Sequence, residues 1–357
     1  MNYIGSKKTI IDFIANSIQE VVGSKPLVFC DLFAGTGAVG AQFKKLGYKV
    51  IANDLQYYSF VINRHLIQNH LEMPFEKLCE VIPSLHKTGV RERKYLVCEY
   101  LTHLEGKEGF VFQNYSPASI EISEYERMYF TIENAKKCDA IRQKIEEWHV
   151  NQLITENEYY FLISSLVNSA DKHANVLSVY GAYLKTFRKK ALLPFKLTAS
   201  EVIVNDQEHE VYNSDANDLI GKITPDILYI DPPYNDRQYA SNYHLLETIA
   251  KYDNPTIYGK TGLRHYEEQR SLYCYKNFAK ETLQKLLDES QAKYIFISYS
   301  NEGIIPFEDM KEMLSKKGKY DVFETKHTRY RTDAKRSYSS NHTIEYLHYC
   351  IVDDYNK

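Results

Sequence analysis

Leu27-Val28-Phe29-Cys30-Asp31-Leu32-Phe33-Ala34-Gly35-Thr36-Gly37 is the stretch that decides the fold. It begins with a short apolar run, which is typical of a buried parallel strand. Two glycines follow, and a helical pattern then continues to about Gly47. The stretch therefore predicts a strand, a glycine-rich turn and a helix, in which glycine lets a ligand approach the backbone closely. A helix cap without any ligand explains the same residues, so both interpretations stay open here.

The residues beyond this turn favour a cofactor that carries a cationic or amino group. The next predicted strand, Tyr48 to Ala52, ends in Asn53-Asp54. Asp54 lies 23 residues after Asp31, close to the spacing of ~20 at which an acidic side chain meets a ribose hydroxyl. Because Asp31 precedes the glycines, a pyrophosphate is disfavoured at this turn. The pattern points to S-adenosylmethionine and away from NAD.

A second apolar run, Asp226-Ile227-Leu228-Tyr229-Ile230, leads into Asp231-Pro232-Pro233-Tyr234. We predict a buried parallel strand for the run, and ligands bind at the carboxyl ends of such strands in open α/β sheets. The two prolines fix the backbone and remove two N–H groups. The tetrad thus offers a carboxylate, a free carbonyl and an aromatic face, the partners that an exocyclic amine on a planar ring needs. A strand-terminating turn with a packed aromatic is the alternative.

Strands and helices alternate at both ends of the chain, and the alternation lapses between about Met73 and Leu197. We therefore predict an α/β fold in which residues 1–72 and 198–357 form a doubly wound, mostly parallel sheet. Residues 73–197 are predicted to be an inserted, mainly helical domain. The last two strands, Tyr320 to His327 and Thr343 to Val352, have too short a connection for a parallel crossover, so we expect an antiparallel hairpin.

Basic residues and aromatic rings are interleaved in the insert, from Tyr180 to Lys196. Lys185, Arg188 and Lys189 belong to this segment, and such interleaving is typical of nucleic-acid-binding surfaces. A solvated charged face explains the run equally well. Candidate phosphate contacts elsewhere are Arg237, Arg264, Arg270, Lys326, Arg329, Arg331, Lys335 and Arg336.

Composition and charge limit the remaining classes of protein. The chain has 357 residues and a net charge of −3, so any DNA-binding surface must be a local basic face. Its six cysteines are scattered without zinc spacing, which predicts reduced thiols, no metal site and a cytoplasmic protein. Met1 to Lys8 lacks the apolar core of a signal peptide, and no run approaches the ~20 apolar residues of a membrane span.

Taken together, the motifs resemble the Dam-like, α-group adenine-N6 DNA methyltransferases. The residues that carry the resemblance, in the order found in that family, are Asn2-Tyr3-Ile4-Gly5-Ser6-Lys7, Asp31 to Gly37, Asn53-Asp54, Asp215-Ala216 and Asp231 to Tyr234. The resemblance implies a Rossmann-like S-adenosylmethionine-dependent fold, with residues 73–197 as the DNA target-recognition domain. It also implies site-specific methylation of N6 of a flipped-out adenine in double-stranded DNA. The enzyme would be the modification component of a restriction–modification system in a prokaryotic cytoplasm, with a cognate restriction endonuclease encoded alongside.

The resemblance also assigns roles to single residues. The methionine end of the cofactor would be held by Tyr3, Gly5, Ser6 and Lys7, with its ammonium on Asp31. The rest of the cofactor would lie against Phe33, Gly35, Gly37, Asp54, Asp215 and Ala216, with Asp54 on the ribose. Catalysis would belong to Asp231, Pro232, Pro233 and Tyr234, in which Asp231 and the Pro232 carbonyl accept the N6 protons and Tyr234 stacks on the base.

Three alternatives stay open from the residues alone. Asp-Pro-Pro-Tyr also occurs in enzymes that methylate exocyclic amines of other substrates, such as RNA or a protein amide. Methylation of cytosine N4 is the second, although those enzymes usually carry Ser in place of Asp231. The third is a non-catalytic DNA-binding relative that keeps the fold.

Overall fold

The computed structural model describes residues 4–23, 27–328 and 342–353, so Tyr3, Arg329, Arg331, Lys335 and Arg336 lie outside the described residues. Contacts along the chain divide it into two compact units. The sheet unit comprises Ile4–Asn63, Asn205–Gln238 and Gln269–Lys357. The helical unit comprises Arg64–Val204 and Tyr239–Glu268.

The strands, in chain order, are β1 Val28–Asp31, β2 Lys49–Asn53, β3 Glu210–Tyr212, β4 Ile227–Ile230, β5 Ile257–Tyr258, β6 Leu263–Arg264, β7 Tyr294–Ser300, β8 Gly318–Thr328 and β9 His342–Val352. Seven of them form one sheet in the order β3-β2-β1-β4-β7-β9-β8. Neighbours from β3 to β7 are parallel, whereas β9 is antiparallel to both β7 and β8. This confirms the predicted mostly parallel α/β sheet with a final antiparallel hairpin.

The α-helices are α1 Ile11–Val22, α2 Ala38–Lys45, α3 Tyr57–Asn63, α4 Val90–His103, α5 Phe110–Tyr115, α6 Ile132–Val150, α7 Glu156–His173, α8 Ala216–Ile220, α9 Tyr239–Asn242, α10 His244–Lys251, α11 Ala279–Glu289 and α12 Phe307–Ser315. The 3₁₀ turns are Lys7–Ile10, Lys77–Glu80, Pro83–Lys87, Pro117–Glu121, Glu267–Gln269 and Leu272–Cys274, and Arg64–Gln68 is a π-helical turn. Between residues 55 and 71 the only α-helix is therefore α3, and the π-helical turn Arg64–Gln68 follows it directly.

Burial explains why the central strands form. All four residues of β4 are fully buried, as expected for a parallel strand covered on both faces. Ile230 belongs to a hydrophobic cluster with Leu283 of α11 and Met310 of α12. Each such side chain stabilises the fold by about 1.5–3 kcal/mol on burial. The cluster therefore fixes the end of β4, where the Asp-Pro-Pro-Tyr motif begins.

The helical unit is larger than the predicted insert, because α9, α10 and the β5–β6 hairpin belong to it. Arg142 of α6 is buried and donates hydrogen bonds to the carbonyls of Ile249 and Ala250, at 3.2 and 3.3 Å. These are carbonyls of the last turn of α10, which have no partner within the helix. The hydroxyl of Tyr115 likewise donates to the carbonyl of Gly262, at 2.8 Å. Contacts this distant in sequence leave no local signal, and the role of the unit in DNA recognition stays a prediction.

Candidate active site

Two of the predicted carboxylates lie where the strand order of the sheet reverses. From β1 the chain continues to β2 and β3 on one side, and it returns to β4 on the other. Asp31 ends β1 and is aligned with Tyr229 of β4, so Asp31 and Asp231 leave adjacent parallel strands at the same edge. Such a reversal opens a crevice that binds ligands in α/β proteins. The structure thus brings these two residues together at one edge of the sheet.

The glycine turn after β1 has the backbone that its sequence suggests. Gly35 and Gly37 have φ angles of 50° and 74°, a region that glycine adopts without steric cost. The N–H of Gly35 donates to Asp54 Oδ2 at 2.8 Å, and the N–H of Gly40 donates to Asp31 Oδ2 at 3.0 Å. The two carboxylates therefore accept backbone N–H groups of the turn and of the helix that follows it. No described residue donates a hydrogen bond to Asp31 Oδ1.

The electrostatics of this crevice favour a cation. Burial raises the pKa of Asp31 to about 7, the Gly40 N–H opposes the rise, and the nearby carboxylates of Asp231 and Asp54 add to it. Clustered, poorly solvated carboxylates are stabilised by a cationic ligand, which supplies the missing positive charge. The sulfonium and ammonium groups of S-adenosylmethionine fit this donor set, whereas a pyrophosphate would be repelled.

The Asp-Pro-Pro-Tyr motif presents the acceptors predicted for an amine. Burial raises the pKa of Asp231 to about 7, while the ammonium of Lys7 lowers it and the carboxylate of Glu345 raises it. No N–H of the described residues donates to the carbonyl of Pro232. The ring of Tyr234 packs edge-on against Tyr299, at 6.0 Å between centroids. A carboxylate, an unshared carbonyl and an aromatic ring therefore follow one another at the end of β4.

Lys7 is buried beside the motif, with 6% of its side chain exposed. Its Nζ lies 3.2 Å from Asp231 Oδ1 and also pairs with the carboxylate of Glu345. Burial alone would lower the pKa of Lys7, but Asp231 and Glu345 raise it well above its usual value, so the ammonium stays charged. Protein carboxylates thus neutralise Lys7, the residue that the resemblance places at the methionine end of the cofactor. Binding of the cofactor by Lys7 stays a prediction.

Glu345 is the residue of this site that sequence reasoning missed. It lies in β9, and Ser298 Oγ donates to its Oε1 at 3.1 Å. The signal in the sequence is a single carboxylate inside the apolar pattern of a predicted strand. Such a residue is seldom buried without a partner. The partner, Lys7, is 338 residues away, so the pattern alone could not identify it.

The other predicted cofactor residues lie along the same strand ends. Phe33 packs edge-on against Tyr273, at 5.1 Å between centroids. Ala216 is buried at the start of α8, and Asp215 caps that helix by accepting from the Asn217 N–H at 2.8 Å. Gly5 has a φ of 75°, and Ser6 precedes the Lys7–Ile10 turn. The roles of these residues in cofactor binding stay predictions.

The basic segment of the helical unit presents its charges to solvent. Lys185 and Lys189 are exposed and Arg188 is half-buried. The side-chain oxygen of buried Asn175 accepts a hydrogen bond from the Arg188 N–H at 3.1 Å, which fixes the backbone here. Among the described residues, no carboxylate lies within ion-pair distance of these three cations. The segment can therefore offer its charge to a phosphate backbone.

Arg264 does not suit the phosphate contact that the sequence suggested. It is buried, and its guanidinium pairs with both oxygens of Asp253, at 3.0 and 2.7 Å. This bidentate pair stabilises the β5–β6 hairpin and engages both terminal NH2 groups of the arginine. Arg237 and Arg270, in the sheet unit, are both exposed.

Two further searches concern other classes of protein. No helix within 4–23, 27–328 and 342–353 is long and apolar enough to span a membrane. Over the same ranges, no group of three or more His, Cys, Asp or Glu side chains is arranged to hold a metal ion. All six cysteines are buried and free of disulfides.

Comparisons with known proteins agree with this geometry. Residues 3–313 match the family described as D12 class N6 adenine-specific DNA methyltransferase. The chain is 44% identical over 352 residues to the type II methyltransferase M.NlaIII of Neisseria lactamica, covering 98% of each chain. It is 41% identical over 359 residues to the type II methyltransferase M.FokI of Planomicrobium okeanokoites, covering 99% of this chain and 53% of that one. The type II methyltransferase M.CviAII of Paramecium bursaria Chlorella virus 1 is 34% identical over 354 residues, with 99% of each covered.

Proposed function

Because the chain belongs to the D12 class N6 adenine-specific DNA methyltransferases, we propose that it methylates N6 of a flipped-out adenine at one recognition sequence in double-stranded DNA. The observation that supports this most directly is the end of β4. There Asp231 lies near the carboxylate of Asp31, and the Pro232 carbonyl and the Tyr234 ring follow Asp231 in the chain. Taking the base out of the duplex costs a few kcal/mol. Stacking on Tyr234 would offset about 1–3 kcal/mol of that cost.

The two hydrogen-bond acceptors of the motif would make the N6 amine of adenine a better nucleophile. The N6 amine of adenine is a poor nucleophile, because its lone pair is conjugated with the ring. Asp231 and the Pro232 carbonyl would accept its two N–H groups and so turn the lone pair out of the ring plane. Orientation of this kind can contribute about 7–11 kcal/mol to lowering a barrier. The amine loses one proton on methylation, and the Asp231 carboxylate is placed to accept it.

The cofactor of this family is S-adenosylmethionine, which supplies an electrophilic methyl group on a sulfonium. Asp31 would accept its ammonium on Oδ1, because Oδ2 already accepts the Gly40 N–H. Asp54 would lie against the ribose hydroxyls. The rest of the cofactor would lie against Gly5, Ser6, Lys7, Phe33, Gly35, Gly37, Asp215 and Ala216, and Tyr3 is proposed from the sequence alone.

Duplex DNA would be held by the helical unit through Lys185, Arg188 and Lys189, and by the sheet unit through Arg237 and Arg270. Their exposure supports these contacts, which carry no sequence information themselves but position the duplex. Since the net charge is −3, binding would depend on these local cations and weaken steeply with salt. Mutational mapping would identify the residues of the helical unit that read bases.

We further place the enzyme in a restriction–modification system of the cytoplasm. The names of its relatives support membership in such a system, since M.NlaIII, M.FokI and M.CviAII are all type II methyltransferases. A cognate restriction endonuclease encoded alongside would cut the same sequence when it is unmethylated. The endonuclease is a functional partner, and the proposal includes no contact with it.

The test is transfer of a tritiated methyl group from S-adenosylmethionine to DNA that carries no adenine methylation. Enzymatic digestion should place the label in N6-methyladenine, and Asp231→Asn should remove it while the variant still binds the cofactor. Label in cytosine, RNA or a protein amide would refute the proposal. So would cofactor binding without any labelled product.

A further inference from the structure

We propose that Glu345 is a positioning residue for methyl transfer: it holds the Lys7 ammonium, which in turn holds the Asp231 carboxylate that receives the adenine amine. This inference rests on the proposed function and extends the site to the last strand of the chain. Glu345 does not touch the base or the cofactor in this scheme. It acts through Lys7 alone.

The three side chains form a continuous buried group. Lys7 Nζ lies 3.2 Å from Asp231 Oδ1 and pairs with Glu345 Oε1, and the side chains are 6%, 17% and 6% exposed for Lys7, Asp231 and Glu345. A buried charge is costly unless it is paired. The lysine chain itself is flexible, so the two carboxylates decide where its ammonium lies.

Glu345 is the most rigidly held of the three residues. Its strand, β9, is bonded on both sides, with Glu345 opposite Ser300 of β7 and Thr325 of β8. Ser298 Oγ donates to Glu345 Oε1 at 3.1 Å, which fixes the carboxylate as well as the backbone. Asp231, by contrast, lies in a stretch without regular secondary structure after β4. Glu345 therefore positions Lys7, and Lys7 in turn positions Asp231.

Charge neutralisation alone does not explain why a second carboxylate, Glu345, lies beside Lys7. Lys7 by itself would balance Asp231, and a second carboxylate nearby raises the pKa of Asp231, which works against its ionised form. Orientation does explain it. Lys7 engages Asp231 Oδ1, and no described residue donates a hydrogen bond to Oδ2, so Oδ2 is left for the amine. Without Glu345, the ammonium could move to Oδ2 and compete with the amine for it.

The experiment compares Glu345→Ala and Glu345→Gln with the wild-type protein, using unmethylated genomic DNA and saturating S-adenosylmethionine. Glu345→Ala should lower the single-turnover rate of methyl transfer by roughly 100-fold, the effect of a misplacement of about 1 Å. Glu345→Gln should lose only about 10-fold, because its amide oxygen can still accept from Lys7 and Ser298, and only the negative charge that strengthens the contact with Lys7 is lost. The Kd for the cofactor, measured by calorimetry, should change less than about threefold in both variants.

Glu324→Ala is the matched control, because Glu324 is exposed on the neighbouring strand β8. It should retain the wild-type rate. A rate within about twofold of wild type for Glu345→Ala would overturn the inference while leaving the proposed function standing. A cofactor Kd that weakens in step with the rate, together with a lower Tm, in both Glu345 variants would show a merely structural role and would also overturn it. If the wild-type protein leaves the DNA unlabelled, the proposed function fails and the inference fails with it.

Discussion

Replacing Asp31 by Asn should stabilise the cofactor-free protein at alkaline pH, although it removes a residue of the proposed cofactor site. Burial raises the pKa of Asp31 from an ordinary 3.8 to about 7. A carboxylate whose pKa is raised by folding binds its proton more tightly in the folded state. Stability is therefore lost as pH rises from the unfolded towards the folded pKa, and it levels above the latter. Asn does not titrate and undergoes no such loss.

The magnitude follows from the pH range. Each unit of pKa shift corresponds to about 1.4 kcal/mol. Between about pH 5.5 and pH 8, the wild-type protein crosses roughly 1.5 units of this window and should lose about 2 kcal/mol relative to Asp31→Asn. The gain of the variant should therefore be larger at pH 8 than at pH 5.5, amounting to a few degrees in Tm.

Thermal unfolding of both proteins at the two pH values measures this effect, with and without S-adenosylmethionine. The cofactor should raise the Tm of the wild-type protein and have much less effect on Asp31→Asn, because the variant no longer offers a carboxylate to the ammonium. The reasoning is refuted if the stability difference between the proteins is the same at both pH values. It is also refuted if the variant binds the cofactor as tightly as the wild-type protein.

Four further outcomes follow from the site and its surroundings. Asp231→Asn should lower methyl transfer by roughly 1,000-fold or more, since it removes the negative charge and replaces one accepting oxygen with an NH2 group that cannot orient the amine, while calorimetry shows cofactor binding within a few-fold of wild type. In the wild-type protein, the rate of methyl transfer at saturating cofactor should rise with pH and become constant above about pH 7. The reason is that burial raises the pKa of Asp231 to about 7, and only the carboxylate accepts the amine proton. A rate that does not change from pH 5.5 to 8 would contradict this. Lys189→Ala should reduce the slope of log Kd against log salt by about 1 if it neutralises one phosphate, as measured by DNA-binding titrations at several salt concentrations. Arg264→Ala should leave that slope unchanged but lower stability by roughly 2 kcal/mol, seen as a lower Tm, because it breaks the charged hydrogen bonds to Asp253.

Local patterns predicted the parts of the fold that burial and backbone chemistry decide. The apolar run before Asp231 is β4, and the two glycines after Asp31 do have positive φ angles. The short connection before Thr343 correctly indicated an antiparallel pair. In each case the interaction that decides the structure lies within a few residues, so the local sequence is enough to predict it.

Contacts between residues that are far apart in the sequence could not be predicted. Arg264 reads as an exposed loop arginine until the fold places it against Asp253 in a buried pair. The association of α10 with the helical unit depends on Arg142, whose partners are about a hundred residues later in the chain. Glu345 matters only because β9 enters the sheet between β7 and β8 and so carries it to Lys7. The identity of the partner in each of these contacts leaves no periodic or compositional trace.

The most direct measurement of the central claim is a map of methylated adenines in the DNA of a host that expresses this protein and lacks other adenine methyltransferases. We predict N6-methyladenine at nearly every copy of one short sequence with the wild-type protein, and at none with Asp231→Asn. Unmodified adenines in the presence of folded wild-type protein, or the same modification with Asp231→Asn, would contradict the account of Asp231-Pro232-Pro233-Tyr234 given above.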